Sequence, residues 1–326
     1  MRHLYVIGNG FDIHHGRKTD YQEYYKWLHD NEEWDVLTAI DNNFGCCDSS
    51  WWKHFEQNLA SAKTLEIAME ESREHYPNFA SDDFRDADWY RAEYAVEQRL
   101  EKAYSLIKKS FHRWINQLEG GNPDMKIIME LKNSTFLTFN YSDTLESLYN
   151  ISKEQILYIH GRANAADELV LGHGDCLKDL EKKLGSSAPS STIGVESVVD
   201  YDNDGDDYVT QRAKDAAVLE VYKQRKQVES IIQKNEEWFK RLVDVTNIHF
   251  YGHSFGDVDL PYFRKILSSV DKKNIEMEVS DYFGYNKDVI DSFMKSEDFS
   301  KGQGPGHYHF IELTDILIEI RSEQKP

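Results

Sequence analysis

Short apolar runs alternate along this chain with longer stretches of helical period, and that alternation predicts an α/β architecture. His3–Ile7 is a compact β-type run closed by Gly8-Asn9-Gly10, which predicts a central strand followed by a tight loop. Thr19-Asp20-Tyr21-Gln22 has the spacing of a capping box, so a helix is expected to begin near Asp20. Further on, Leu100, Ala103, Tyr104, Ile107, Phe111, Trp114, Ile115 and Leu118 form one apolar stripe at helical spacing. Such a stripe is core rather than a cofactor-binding element. Strand signals return at 134–139, 156–159, 169–171, 247–251, 275–280 and 308–313, and a helix is expected over about 213–243. Strands separated by helical patterns favour a mostly parallel, Rossmann-like sheet with helices on its faces. No internal repeat interrupts this pattern.

Region 20–120 separates the first strand from the next by far more than one crossover helix requires, and it reads as a helical insertion. Residues 1–19 and 121–326 then form the nucleotide-binding core. Within that core, 185–211 turns Ser/Gly-rich and then acidic, which suits a mobile surface loop.

Composition narrows the partners. With 40% hydrophobic and 29% charged residues the chain can bury a core. A net charge of −20 and a pI near 5.1 repel phosphate backbones, so a nucleic-acid partner is not expected. The apolar run around Leu4 is too short to cross a bilayer, and the N-terminus lacks a signal-peptide core, which together predict a cytoplasmic protein and no membrane partner. Cys46, Cys47 and Cys176 have no C-x-x-C spacing, so neither zinc nor a disulfide framework is expected.

Four apolar strands each stop at a small or polar cluster. These are Gly8-Asn9-Gly10-Phe11-Asp12, Thr138-Phe139-Asn140-Tyr141-Ser142-Asp143, His160-Gly161, and Gly252-His253-Ser254-Phe255-Gly256-Asp257-Val258-Asp259. In open α/β sheets ligands bind outside the carboxyl ends of the strands, so the clusters are expected to converge on one site. Each also has a bland reading, since glycines end strands, Asn and Asp cap helices, and a single His is usually a packed residue.

These clusters resemble the AbiH abortive-infection family, in Leu4 through Asp12, Leu137 through Glu146, Tyr158-Ile159-His160-Gly161 and Tyr251 through Asp259. More distantly their order is similar to the sirtuin-like NAD-consuming domains of bacterial defence systems. That resemblance implies a sirtuin-like fold, NAD as substrate, cleavage of the nicotinamide–ribose bond, and a phage-derived trigger. By position it makes Asn140 and His160 the catalytic pair. Gly8, Asn9, Gly10, Asp12, Thr138, Tyr141, Gly252, His253, Ser254, Asp257 and Asp259 would line the nucleotide. The zinc cysteines of deacetylating sirtuins are missing, so deacetylation is not implied.

The chemistry suits those residue types. Nicotinamide leaves NAD as a neutral molecule, so the site needs no strong general acid; it must stabilise an oxocarbenium-like ribose and position a water. Asn140 can hold ribose hydroxyls and water, and His160 can take the water's proton near neutral pH. Asp12 can orient the ribose or an imidazole, or cap its loop.

Other classes compete. Gly252-His253-Ser254-Phe255-Gly256 satisfies the serine-hydrolase motif, with Asp281 and His307 following in order, but Pro261 fits a helix starting near Leu260 rather than at the serine. Asp200, Asp202, Asp204 and Gly205 copy the opening of a calcium loop, yet Gln211 stands at its twelfth position. A metal-dependent nuclease would use Asp257 and Asp259 with His14, His15, His173 or His253. A nucleotide sensor would keep the glycine loop without the chemistry. The aromatic insertion offers a surface for homo-oligomers, though aromatic stripes are more often core.

Overall fold

The computed structural model describes residues 2–45, 48–163, 169–183, 207–280 and 286–318. Cys46, Cys47, the calcium-loop acids 200–205 and Asp281 lie outside them. Within the described residues the chain divides into two compact units.

The first unit comprises Met1–Tyr24, His112–Val170 and Gln227–Pro326, and carries the sheet. Its strands are β1 (His3–Ile7), β2 (Ser134–Thr138), β3 (Ile156–Tyr158), β4 (Asn247–Tyr251), β5 (Glu276–Ser280), β6 (Ser300–Lys301) and β7 (His307–Ile311). Their order is β3-β2-β1-β4-β5-β7-β6. Every pairing is parallel. The sheet is thus the Rossmann-like sheet expected, and parallel throughout. β1 sits between β2 and β4 in unbroken register from His3 to Ile7, which suits its near-continuous apolar sequence.

One face of the sheet presents Leu4, Val6, Leu137, Ile248, Phe250, Met277 and Val279 to the helices Leu260–Ser268 and Lys287–Ser296. Tyr262, Phe263 and Ile266 of the former, with Phe293 and Met294 of the latter, complete that core. The other face packs Tyr5, Ile7, Phe136 and Tyr251 against Phe11, Leu145, Leu148 and Ile127. Each such side chain, fully removed from water, contributes roughly 1.5–3 kcal/mol, so the two layers bury the β1 strand on both faces.

The second unit comprises Tyr25–Phe111 and Leu171–Lys226 and is helical. Tyr208–Lys223 packs along Thr64–Glu74. Its Ala213, Ala216 and Ala217, at i, i+3 and i+4, are small enough to let two backbones approach. Arg212 forms a two-pronged pair with Glu93, at 2.6 and 2.8 Å. The expected stripe lies on the helix Arg91–Asn116, buried from Leu100 through Ile115, except for its last member, Leu118, which is past the helix end and half-buried.

Several local expectations are corrected. Segment 169–171 is no strand: Val170 N donates to His160 O at 2.9 Å and its carbonyl accepts from Tyr141 Oη at 2.9 Å, so loop contacts satisfy its backbone. The helix Tyr21–Asp30 is preceded by Asp20 acting on Gln22 N at 2.7 Å, while the Thr19 hydroxyl takes no part. The helix expected over 213–243 is three helices, Tyr208–Lys223, Val228–Lys234 and Glu236–Lys240. Its first break is tertiary in origin: Lys226 N donates to His173 O at 2.8 Å, and the buried Lys226 Nζ meets Glu56 at 2.5 Å. The two-residue β6 is exposed and carried no apolar signal. No described helix is long and apolar enough to cross a membrane.

Candidate functional site at the strand ends

The carboxyl ends of β3, β2, β1 and β4 are neighbours in the sheet, and the four clusters lie there side by side. Parallel pairing alone brings this about, since every strand then ends on the same edge.

The glycines serve close packing between two loops. Gly10 N donates to Gly252 O at 2.8 Å, and Gly8 N to Tyr251 O at 2.9 Å. A Cβ on Gly252 would lie 2.0 Å from Phe11 N, and its φ of +69° strains any other residue. A Cβ on Gly8 would lie 2.7 Å from Gly252 O. The first and fourth clusters therefore lock together through backbone.

Asp12 lies in the short helix Asn9–His14 and is 1% exposed. Its carboxylate accepts the hydroxyls of Ser142 and Thr144, the latter at 2.6 Å. Burial pushes its carboxyl above the usual range, against the pull of Ser142, Thr144, the Arg17 charge and Asn140. Asn140 Nδ2 also donates to Gly8 O at 3.0 Å, and Asn140 N to Thr138 Oγ1 at 3.1 Å. Asp12 and Asn140 thus tie β1's loop to β2's. Ser142 and Thr144, which the sequence reading did not assign, are what hold Asp12. Their signal was present in hydroxyl side chains two apart at the start of the helix Thr144–Tyr149.

His160, beyond β3, and His253, beyond β4, meet a shared carboxylate. Asp259 Oδ1 lies 3.9 Å from His160 Nε2, and Oδ2 lies 3.5 Å from His253 Nε2. Asp259 occupies the N-cap position of the helix Leu260–Ser268, yet its side chain does not cap. It turns to the imidazoles instead. Phe255 N donates to His253 Nδ1 at 3.0 Å, so Nδ1 is the acceptor and the neutral ring's proton sits on Nε2, facing Asp259. The Phe139 ring stands edge-on to both histidines, with centroids 5.2 Å from His160 and 4.5 Å from His253. Tyr141 stacks on His160 at 6.2 Å.

Tyr262, three residues past Asp259 and on the same helix face, is a further member that the sequence reading missed. Burial, with the Asp259 charge, pushes its hydroxyl well above the usual range. The i, i+3 spacing was the available signal.

The remaining expected residues are peripheral. Asn9, Ser254 and Asp257 are exposed. Asn9 Nδ2 donates to Thr19 O at 3.0 Å. No helix begins at Ser254, which removes the elbow that a serine nucleophile requires. Of the nuclease set, His253 and Asp259 meet, whereas His14 and His15 are engaged elsewhere. His14 Nε2 bonds Met125 O at 3.0 Å, and His15 lies between Phe11 O and the Tyr149 hydroxyl, each at 2.7 Å. In the second unit His173 bonds Val221 O at 2.9 Å.

The array can do definite chemistry. A neutral imidazole backed by a carboxylate accepts a proton and is stabilised once charged. Residues 4–281 match the model of the family described as "Bacteriophage abortive infection AbiH". Neither a curated protein nor a solved structure matches the chain.

Proposed function

The chain belongs to the bacteriophage abortive infection AbiH family, and from that premise we propose that it hydrolyses NAD at the nicotinamide–ribose bond in that response. The observation that carries this reading is the meeting of His160 and His253 on Asp259, with Asn140 fastened to the β1 loop, at the carboxyl ends of neighbouring parallel strands. In a sheet of this order, β1 and β4 flank the switch point where nucleotides bind. The resemblance of the same clusters to sirtuin-like NAD-consuming domains supports NAD over other nucleotides.

In the proposed step the nicotinamide–ribose bond breaks and nicotinamide leaves with the bonding electron pair, neutral. Water attacks the ribose carbon and its proton passes to the His160 ring. Asp259, 3.9 Å away, stabilises the imidazolium that results. Asn140 is anchored through its Nδ2, which leaves its carbonyl oxygen to accept from a ribose hydroxyl or the water. His253 holds Asp259 from the other side. A phage-derived signal triggers turnover.

The test is NAD content in phage-infected cells expressing the wild-type chain, Asn140→Ala or His160→Ala, together with nicotinamide release by the purified proteins. NAD falling only with the wild type supports the reading. Protection against phage with NAD unchanged refutes it.

One observation favours a second reading. Asn140 is 6% exposed and fastened to Gly8, a placement that also suits a nucleotide sensor in which Asn140 only shapes the loop. ADP-ribose binding that survives in His160→Ala, with no turnover in the wild type, identifies the sensor.

A further inference from the structure

The sheet-bearing unit also holds a cavity of about 160 Å³, lined by Arg17, Tyr141, Ser142, Asp143, Ser147 and Arg162 among others. Its two arginines arrive from separate elements, Arg17 after the helix Asn9–His14 and Arg162 after β3. The Arg17 side chain is 5% exposed, and its Nη2 donates to Asp143 Oδ1 at 2.7 Å and Ser147 Oγ at 2.9 Å. Arg162 Nη2 donates to Glu146 Oε2 at 2.7 Å, and its guanidinium lies over the Tyr158 ring.

Each guanidinium has five N–H donors, and one carboxylate cannot use them all. The Nε atoms of Arg17 and Arg162 are both buried without a hydrogen-bond partner among the described residues. Buried donors of that kind are costly unless an acceptor reaches them. The opposing carboxylates are the more solvated partners, with Asp143 30% and Glu146 22% exposed, so water screens their charge more than that of Arg17. In a chain of net charge −20, this small cavity is lined by two guanidiniums and one carboxylate, Asp143.

We propose that this cavity binds a phosphoryl group. A phosphoryl group offers only acceptors, and arginine forks approaching from two elements match its spread oxygens better than they match one planar carboxylate. The volume is well below the roughly 300 Å³ of pockets that take whole ligands, so it holds a group rather than a dinucleotide. Tyr141 connects it to the strand ends, since this residue lines the cavity and its ring stacks on His160. Two sources carry this chemistry, the pyrophosphate of the proposed substrate and a free phosphate ester acting as effector.

The test is calorimetric titration of the full chain with inorganic pyrophosphate, beside Arg162→Gln, Arg162→Lys and Arg17→Gln. Binding is read without turnover, so its outcome is independent of whether NAD is hydrolysed. Pyrophosphate binds the wild type, weakens at least tenfold in Arg162→Gln, and recovers only in part in Arg162→Lys, which restores the charge without the fork. Arg17 is buried beside Asp143, so Arg17→Gln is read only if circular dichroism shows it folded, whereas the partly exposed Arg162 carries the test by itself. Saturating ADP-ribose that blocks pyrophosphate assigns the site to the substrate; undisturbed binding assigns it to an effector. No pyrophosphate binding by the wild type, or equal binding by Arg162→Gln, overturns the proposal.

Discussion

On the sheet face, Glu278 accepts from the Tyr251 hydroxyl at 2.6 Å and lies 2.7 Å from His249 Nδ1, while His249 Nε2 meets His3 Nδ1 at 2.9 Å. At the strand ends, by contrast, Asp259 stands 3.5 and 3.9 Å from its two histidines. Both are histidine–carboxylate arrays of the same unit, and the first is the more closely spaced. Register builds it, because Tyr5, His249, Glu278 and His309 lie opposite one another across β1, β4, β5 and β7. Burial would raise the Glu278 carboxyl, yet the hydrogen bonds from His249 and Tyr251, with the charges of His249 and His309, hold it down at about 2. A carboxylate so fully engaged is scaffold. The strand-end array is more widely spaced, as catalytic groups without substrate often are.

The largest effect is expected at Asn140. Asn140→Ala lowers NAD cleavage by about 10²–10³-fold, the cost typical of losing one positioned polar group, with nicotinamide release as the readout. Unchanged release would return Asn140 to a purely structural role.

Gly252→Ala probes the scaffold beneath the strand ends. Its Cβ would lie 2.0 Å from Phe11 N at a φ of +69°, so a loss of about 3 kcal/mol or more is expected in chemical denaturation. A small effect would mean the two loops are not locked as described.

His15, buried beside the strand-end loops, supplies a pH test. Burial, outweighing its bond to Phe11 O, lowers its pKa from 6.5 to about 4. The unfolded chain therefore binds the extra proton between these values, and stability falls as pH drops from 6.5 towards 4. The contribution is about 2–3 kcal/mol. His15→Gln, which keeps a polar group but cannot titrate there, flattens that part of the curve; an equally steep curve would contradict the assignment.

Glu278→Gln costs about 1–2 kcal/mol at neutral pH and leaves NAD cleavage unchanged. Its stabilisation is present above pH 4.5 and is lost as pH falls towards 2, the sign set by a depressed carboxylate. Smallest of all, Asp259→Asn slows turnover about tenfold with ADP-ribose binding kept, equivalent to about 1.4 kcal/mol of barrier. If binding fell and turnover per bound substrate did not, Asp259 would be a ligand contact.

The sequence made some of this legible. β1 and β4 begin and end where their apolar runs do, because they are closed by Gly8 and Gly252, where neighbouring backbone leaves no room for a Cβ. Pro261 correctly set the helix start at Leu260. The strand-end residues could be read because parallel strands deliver their carboxyl ends to one edge. Pairwise geometry could not: that Asp259 forgoes its cap for two imidazoles, or that Ser142 and Thr144 fasten Asp12, depends on register and loop path. The sheet-face array was half visible, in the alternation of Asn247, His249 and Tyr251 with Ile248 and Phe250. The rung connecting it to Glu278 needed the register of β4 on β5. The break after Lys223 had no Gly or Pro to announce it, because Glu56 and His173 impose it from far along the chain.

Nicotinamide release from NAD by purified His160→Ala and His249→Ala, side by side with the wild type, separates the strand-end array from the sheet-face array. Catalysis at the strand ends predicts release by the wild type, a loss of about 10²-fold or more in His160→Ala, and near-normal release by a less stable His249→Ala. Loss in His249→Ala with release kept in His160→Ala, or no release by the wild type, would contradict it.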